Sequence, residues 1–234
     1  MKLIDLDISH IETISDLKHF YTEVYIDNFP DDERESLDNL IYYLQAKINR
    51  KEYRYHISLV KNDNSKIVGG AIYNYYPRCN SGVIEFLAVK KDLQSNGIGT
   101  LIYHHVLKVL QNDANQTGRN KLEYIFCEID SPEYSTDSIK KYLYFWDKQN
   151  YKHLDFTYIQ PALSENQNPV SGLWLTVSPQ NSVMATVPSK LIKHVIYNYM
   201  KYAMKITNPE ENKYFCQMRD ELIKKENISL LNIL

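Results

Sequence analysis

Two glycines and a glutamine at fixed spacing behind an apolar run give this chain its clearest chemical signal. Val83-Ile-Glu-Phe-Leu-Ala-Val89 has the character of a buried strand. After a short polar turn comes Gln94-Ser95-Asn96-Gly97-Ile98-Gly99-Thr100. The pattern predicts a helix with both glycines in its first turn. The first N–H groups of a helix have no partner within it and sit at its positive dipole end, so they suit a phosphate. The glycines keep bulk away from the approaching oxygens. Ile102 stands where a dinucleotide fingerprint needs its third glycine, and no Gly-Lys-Ser/Thr follows to make a nucleotide loop.

Two carboxylates stand in apolar strands, Glu85 in the run just quoted and Glu128 in Leu122–Ile129. A charge in such a place has a purpose or a partner. Glu85 reads equally as a proton acceptor or as a structural residue, on a wet face of the strand or paired with a lysine or arginine.

The elements that must position these groups follow from periodicity. Lys2 to Ile8 alternates like an opening strand. Ile11 to Ile26 carries a helical stripe at Ile14, Leu17, Tyr21 and Val24, and Pro30 ends it. A second helix presents Leu37, Leu40, Ile41, Leu44 and Ile48. Tyr53–Val60 and Lys66–Tyr76 read as a hairpin turning at Asp63-Asn64-Ser65. The strand ending at Val89 and a helix to about Asn115 come next, then a strand over Leu122–Ile129 and a helix over Ser138–Gln149. Tyr151–Ile159 and Gly172–Val177 read as the last strands. Beyond Pro179 the pattern turns helical, with one start at Pro188-Ser189 and another at Asn208-Pro209, where Asn is the N-cap.

Phe86-Leu-Ala-Val89 followed by Gln94-x-x-Gly97-x-Gly99 resembles the acetyl-CoA loop of the GNAT superfamily of N-acetyltransferases. The resemblance continues through Cys127-Glu-Ile-Asp130, Phe145-Trp-Asp-Lys-Gln-Asn-Tyr151 and Tyr158-Ile-Gln-Pro-Ala-Leu163. It implies a mixed α/β fold: a central, mostly antiparallel sheet flanked by helices and splayed at the fourth and fifth strands. Residues 1–178 would form the acetyltransferase domain and residues 179–234 a helical extension packed on it.

The resemblance implies acetyl-CoA as co-substrate. Gln94, Ser95, Asn96, Gly97, Ile98, Gly99 and Thr100 would receive its diphosphate. The backbone of Leu87, Ala88 and Val89 would bond its pantetheine amides as an added strand does. Trp146 would lie beside its thiol, at the position where the family often has a tyrosine acid, and Asn150 replaces the family's glycine. An indole N–H cannot exchange a proton with a thiolate. Tyr144 or Tyr142 can substitute, or solvent can, because a thiol pKa of about 8.5 needs little help. The acceptor amine, pKa about 10, must lose a proton before it attacks. Glu85 is the first candidate for that base and Glu128 the second. A backbone N–H near Leu87–Val89 would hold the oxyanion.

The rest of the composition bounds the function. A net charge of −2 gives no reason to expect nucleic acid or an anionic membrane as partner. No window approaches the ~18 apolar residues of a membrane span. The acids Asp5 and Asp7 sit where a signal peptide would need an apolar run. Cys79, Cys127 and Cys216 are odd in number and widely spaced, which favours a reducing cytoplasm over disulfides or a zinc site. His104 and His105 are adjacent, so they do not share a helix face, and no metal is expected. The acidic loop Asp31-Asp-Glu-Arg-Glu35 reads first as helix capping, though it suits a cationic acceptor too. The 20 tyrosines read as amphipathic filler at the rims of the core. The resemblance implies a small-molecule or peptide amine as acceptor, and a monomer or homodimer is expected.

Overall fold

The computed structural model describes residues 1–7, 9–10, 12–46, 51–132, 137–180 and 184–234. They gather into two compact units: Met1–Pro77 with Ile84–Asn120, and Arg78–Val83 with Lys121–Leu234. The class is mixed α/β, with mostly antiparallel strands flanked by helices, as the resemblance implies.

In the first unit β1 (Lys2–Asp5), β2 (Arg54–Lys61), β3 (Ile67–Tyr76) and β4 (Ser81–Val89) lie in that order, with β4 entering the unit at Ile84. β1 and β3 both run antiparallel to β2. The β2–β3 turn is built by Asn62, whose side-chain oxygen accepts the N–H groups of Asn64 and Lys66, each at 3.0 Å. Ser65 completes the turn in the left-handed region, with φ 58°.

Two consecutive glycines in β3 let helices approach both faces of this sheet. A Cβ on Gly69 would stand 2.8 Å from the Ala88 carbonyl oxygen and 3.0 Å from Ile102 of α4 (Ile98–Gln116). A Cβ on Gly70 would meet Leu59 at 2.6 Å and Phe20 of α1 (Thr13–Phe20) at 3.0 Å. The single long helix anticipated from the sequence is in fact three pieces. After α1 comes a π turn, Tyr21–Tyr25, and then α2 (Ile26–Asn28). The wider turn carries the Tyr25 ring onto Phe86, with centroids 4.8 Å apart, and beside Phe29 at 5.3 Å. Leu17, Phe20 and Val24 are fully buried on the same side. α3 (Leu37–Gln45) starts at Ser36, whose hydroxyl accepts the Asn39 N–H at 3.2 Å. The anticipated stripe and strand positions Ile8, Ile11 and Ile48 lie outside the described residues.

The second unit orders its strands β5-β7-β6-β9-β8: β5 (Tyr124–Asp130), β6 (Lys152–Leu154), β7 (Leu173–Pro179), β8 (Thr186–Pro188) and β9 (Asn227–Leu231). All of these neighbours are antiparallel. α5 (Asp137–Lys148), α6 (Ser189–Tyr202) and α7 (Lys213–Leu222) complete it. The strand read over Tyr151–Ile159 stops at Leu154, because Phe156 N–H turns back to the Leu154 carbonyl at 2.7 Å. Asn208 caps only one tight turn, Pro209–Glu211. The cap of α7 is Asn212, whose side chain accepts from Tyr214 N–H at 2.9 Å and Phe215 N–H at 3.3 Å. Residues past 184 are not purely helical: β9 pairs with both β6 and β8, which the helical pattern did not announce.

Candidate active site

β4 ends where the Lys90 N–H donates to the Val68 carbonyl at 2.9 Å and the Lys90 ammonium meets Glu23 at 2.5 Å. One tight turn, Lys91–Leu93, follows. Ser95 and Gly97 then both take left-handed backbone, φ 65° and 80°, and α4 begins. Its first intrahelical bond runs from Leu101 N–H to the Gly97 carbonyl at 3.0 Å. The N–H groups of Ile98, Gly99 and Thr100 therefore precede the helical ladder. No acidic residue stands in this first turn.

Gln94 to Gly97 are exposed, while Ile98 is buried and anchors the loop. The Gln94 side-chain amide donates to the Val89 carbonyl at 3.3 Å and to Asn28 Oδ1 at 3.1 Å. Asn28 in turn donates to the same Val89 carbonyl at 3.3 Å and to Val24 at 2.7 Å. Asn96 closes the turn onto the Leu93 carbonyl at 3.2 Å. An exposed, pinned loop ending in open backbone donors, with no carboxylate in the first turn of α4, fits a diphosphate. Ala88 and Val89 are buried, and Leu87 is the one partly exposed residue of β4.

Glu85 is 8% exposed, and the side-chain amide of the fully buried Asn74 donates to its carboxylate. Asn74 is the direct cross-strand partner of Tyr55, so the two side chains share a sheet face. The Tyr55 ring lies 5.1 Å from that of Tyr43. Burial raises the hydroxyl pKa values of Tyr25, Tyr43, Tyr53 and Tyr55, and the charge of Glu85 pushes each the same way. Glu85 thus sits in a tyrosine-rich surround. Glu35 is buried as well: Asn39 donates to its carboxylate at 2.6 Å, and its own N–H donates to the Tyr25 hydroxyl at 2.9 Å. In the acidic loop Asp31 pairs with Arg34, which also reaches the Ile26 carbonyl at 3.2 Å.

Glu128 belongs to the second unit, where two phenols hold it. Tyr158 donates to one carboxylate oxygen and Tyr199 of α6 to the other, the latter at 2.7 Å. Burial outweighs both bonds and lifts the Glu128 pKa to about 7. Tyr144 is 52% exposed, with the Lys148 ammonium 4.5 Å above its ring. Trp146 is buried among the rings of Tyr142, Phe145 and Tyr151, at 6.1, 5.0 and 4.9 Å. Asn150 ends α5 in the left-handed region at φ 59°, which explains how it stands in for a glycine.

The first unit therefore holds the loop and Glu85, and the second holds Glu128, Tyr144 and Trp146. Sequence reasoning passed over four residues that organise these groups. Asn74 had a usable signal, a lone amide in the apolar run Ile67–Tyr76. Asn28, Tyr158 and Tyr199 had none, because each fits its helical or apolar surroundings. His105 bonds Asp5 at 2.7 Å, and among the described residues no three His, Cys, Asp or Glu side chains cluster as a metal requires. Among the described residues no helix is long and apolar enough to cross a membrane.

The model of the acetyltransferase (GNAT) family matches residues 14–133, which contain the whole loop, Glu85 and Glu128. The chain belongs to that family. Among curated proteins, none matches the sequence. Of solved structures, a protein from Bacteroides thetaiotaomicron assigned to the GNAT acetyltransferase family is similar at a TM-score of 0.63 and 16% identity, over 88% of this chain and 99% of that one. A ribosomal-protein-alanine N-acetyltransferase from Brucella melitensis gives 0.52 and 13%, over 77% and 100%. The ribosomal-protein-S18-alanine N-acetyltransferase from Escherichia coli gives 0.50 and 11%, over 78% and 97%. Identities this low speak for a shared GNAT fold and no further.

Proposed function

We propose that this GNAT protein transfers an acetyl group from acetyl-CoA to an amine by direct attack in a ternary complex. The observation that carries the reading is the loop Gln94–Thr100, with its open N–H donors at the head of α4. Those donors and the helix dipole receive the diphosphate, and Leu87–Val89 line the pantetheine arm. Glu85 takes the proton from the incoming ammonium. A nitrogen–carbon bond forms as the carbon–sulfur bond breaks, and a backbone N–H near Leu87–Val89 steadies the oxyanion. The thiolate is protonated by solvent or by Tyr144. Glu128 is the alternative base.

A second reading is a CoA-binding module without turnover, favoured by Trp146 at the position where the family often has its acid. Two measurements separate these readings. Acetyl-CoA should raise the melting temperature by mass action, and no shift at concentrations well above micromolar would refute both. Release of free thiol in the presence of amines then distinguishes enzyme from module.

A further inference from the structure

Asn96-Gly97 is the one Asn-Gly pair in the sequence, and it stands in the exposed loop before α4. Asparagine followed by glycine readily loses its side-chain amide, because no Cβ shields the next backbone nitrogen. Here a Cβ added to Gly97 would meet no atom within 4 Å, so the approach is open. The Gly97 N–H makes no hydrogen bond among the described residues. The Asn96 amide, for its part, closes the turn: it donates to the Leu93 carbonyl at 3.2 Å and to the Gln94 carbonyl at 3.4 Å. A carboxylate in its place presents only acceptors to those two acceptors. It is also ionised at neutral pH, since an aspartate pKa lies near ~3.9. One reaction would therefore unclasp the turn and set a negative charge just ahead of the open donors of α4.

We propose that Asn96 is a self-modifying residue: its deamidation switches off the coenzyme loop, and bound coenzyme protects it. The Gly97 nitrogen gives its proton to water or hydroxide and bonds to the Asn96 side-chain carbonyl carbon. The bond from that carbon to the amide nitrogen breaks, and ammonia leaves. Water then opens the cyclic imide on one side or the other, to aspartate or isoaspartate. Both products carry the charge, and isoaspartate also adds a methylene to the backbone ahead of Gly97. Closing the imide requires Asn96 to swing out of the turn, a local opening that a diphosphate seated on the loop opposes. An empty loop therefore ages faster than a filled one. The consequence for binding rests on the acetyl-CoA reading, whereas the deamidation itself rests on the loop alone.

The test incubates the full chain in mildly alkaline buffer, with and without CoA, and follows the Asn96 peptide by mass spectrometry. Asn96 should convert at least about tenfold faster than Asn64, which is equally exposed but followed by Ser65. CoA at about ten times its Kd should slow the conversion about tenfold, by mass action on the open loop. Converted protein, separated by its extra charge on ion exchange, should bind acetyl-CoA at least about tenfold more weakly than the unconverted fraction, read from the melting shift. Asn96→Asp should show that weaker shift from the start. Asn96→Gln, whose longer side chain closes the ring far more slowly, should keep its own starting shift throughout. Equal rates at Asn96 and Asn64, no protection by CoA, or equal shifts from the two fractions overturns the proposal. Absence of any shift in the unconverted fraction overturns the acetyl-CoA reading and the switch with it, and the mass of the Asn96 peptide tells that failure from a failure of the chemistry.

Discussion

Glu85 and Glu128 are both carboxylates set in apolar strands, and the protein surrounds them in opposite ways. Glu128 receives one phenol on each oxygen, so the fold holds both ends of the carboxylate. Glu85 receives an amide whose other end, Asn74 Oδ1, is left open beside it. The first acid is held by two hydroxyls, the second by an amide whose own oxygen accepts no hydrogen bond among the described residues. The lesson is that two buried acids near one family motif differ first in the chemistry of the groups that hold them. An acid's own pKa does not decide the matter: Glu128, at about 7, is the one tuned to neutral pH, and it is the one enclosed.

The sharpest way to break this contrast is to neutralise each acid in turn. Glu85→Gln should lower kcat by about 10²–10⁴-fold, the usual contribution of a general base, when thiol release is followed with a saturating amine. Glu128→Gln should cost less than tenfold. The reverse order would exchange their roles.

Trp146 and Tyr144, two residues apart on α5, test buried against exposed in a similar way. Trp146→Ala should lose about 3–5 kcal/mol in urea unfolding, as large aromatic truncations in cores do. Tyr144→Phe should leave stability within about 0.5 kcal/mol, as exposed substitutions do. A drop in kcat for Tyr144→Phe alone would make that tyrosine the thiolate's acid.

The pH dependence of stability isolates Glu128. Its pKa rises from 4.5 to about 7 on folding, so the folded state binds the proton more tightly. Its contribution is present below about pH 4.5 and is lost as pH rises through about 7. The melting temperature of the unmodified protein should therefore fall across that window relative to Glu128→Gln. Parallel curves would mean that Glu128 keeps an ordinary pKa.

The smallest expected effect concerns the loop. Gly97→Ala forces a Cβ into left-handed backbone, with a cost of about 1–2 kcal/mol in stability and a weaker acetyl-CoA melting shift.

Much of this was legible in the sequence, and the omissions share a cause. Periodicity places β2, β3, β4 and α4 closely, because Gly97, the hairpin turn and the apolar stripes are local signals. The strand over Tyr151–Ile159 was overextended, since an aromatic-rich run reads as β whether or not Leu154 turns the chain. β8 and β9 are short and take their stability from pairing partners distant in sequence, which no local pattern reports. The π turn at Tyr21–Tyr25 follows from the fit of Tyr25 against Phe86, a contact 61 positions away by subtraction of their residue numbers. At the site, Glu85 stood out as a charge among apolar residues, while Tyr199 was hidden because a tyrosine on an apolar stripe looks like packing.

The Val89 carbonyl, shared by Gln94 and Asn28, has a kinetic consequence. A single oxygen ties the loop that precedes α4 to the end of α2, so neither can rearrange without the other registering it. The order in which substrates bind should then be fixed, with acetyl-CoA first. A dead-end analogue of the amine should be uncompetitive against acetyl-CoA, and Gln94→Ala, by making the order random, should turn that pattern noncompetitive.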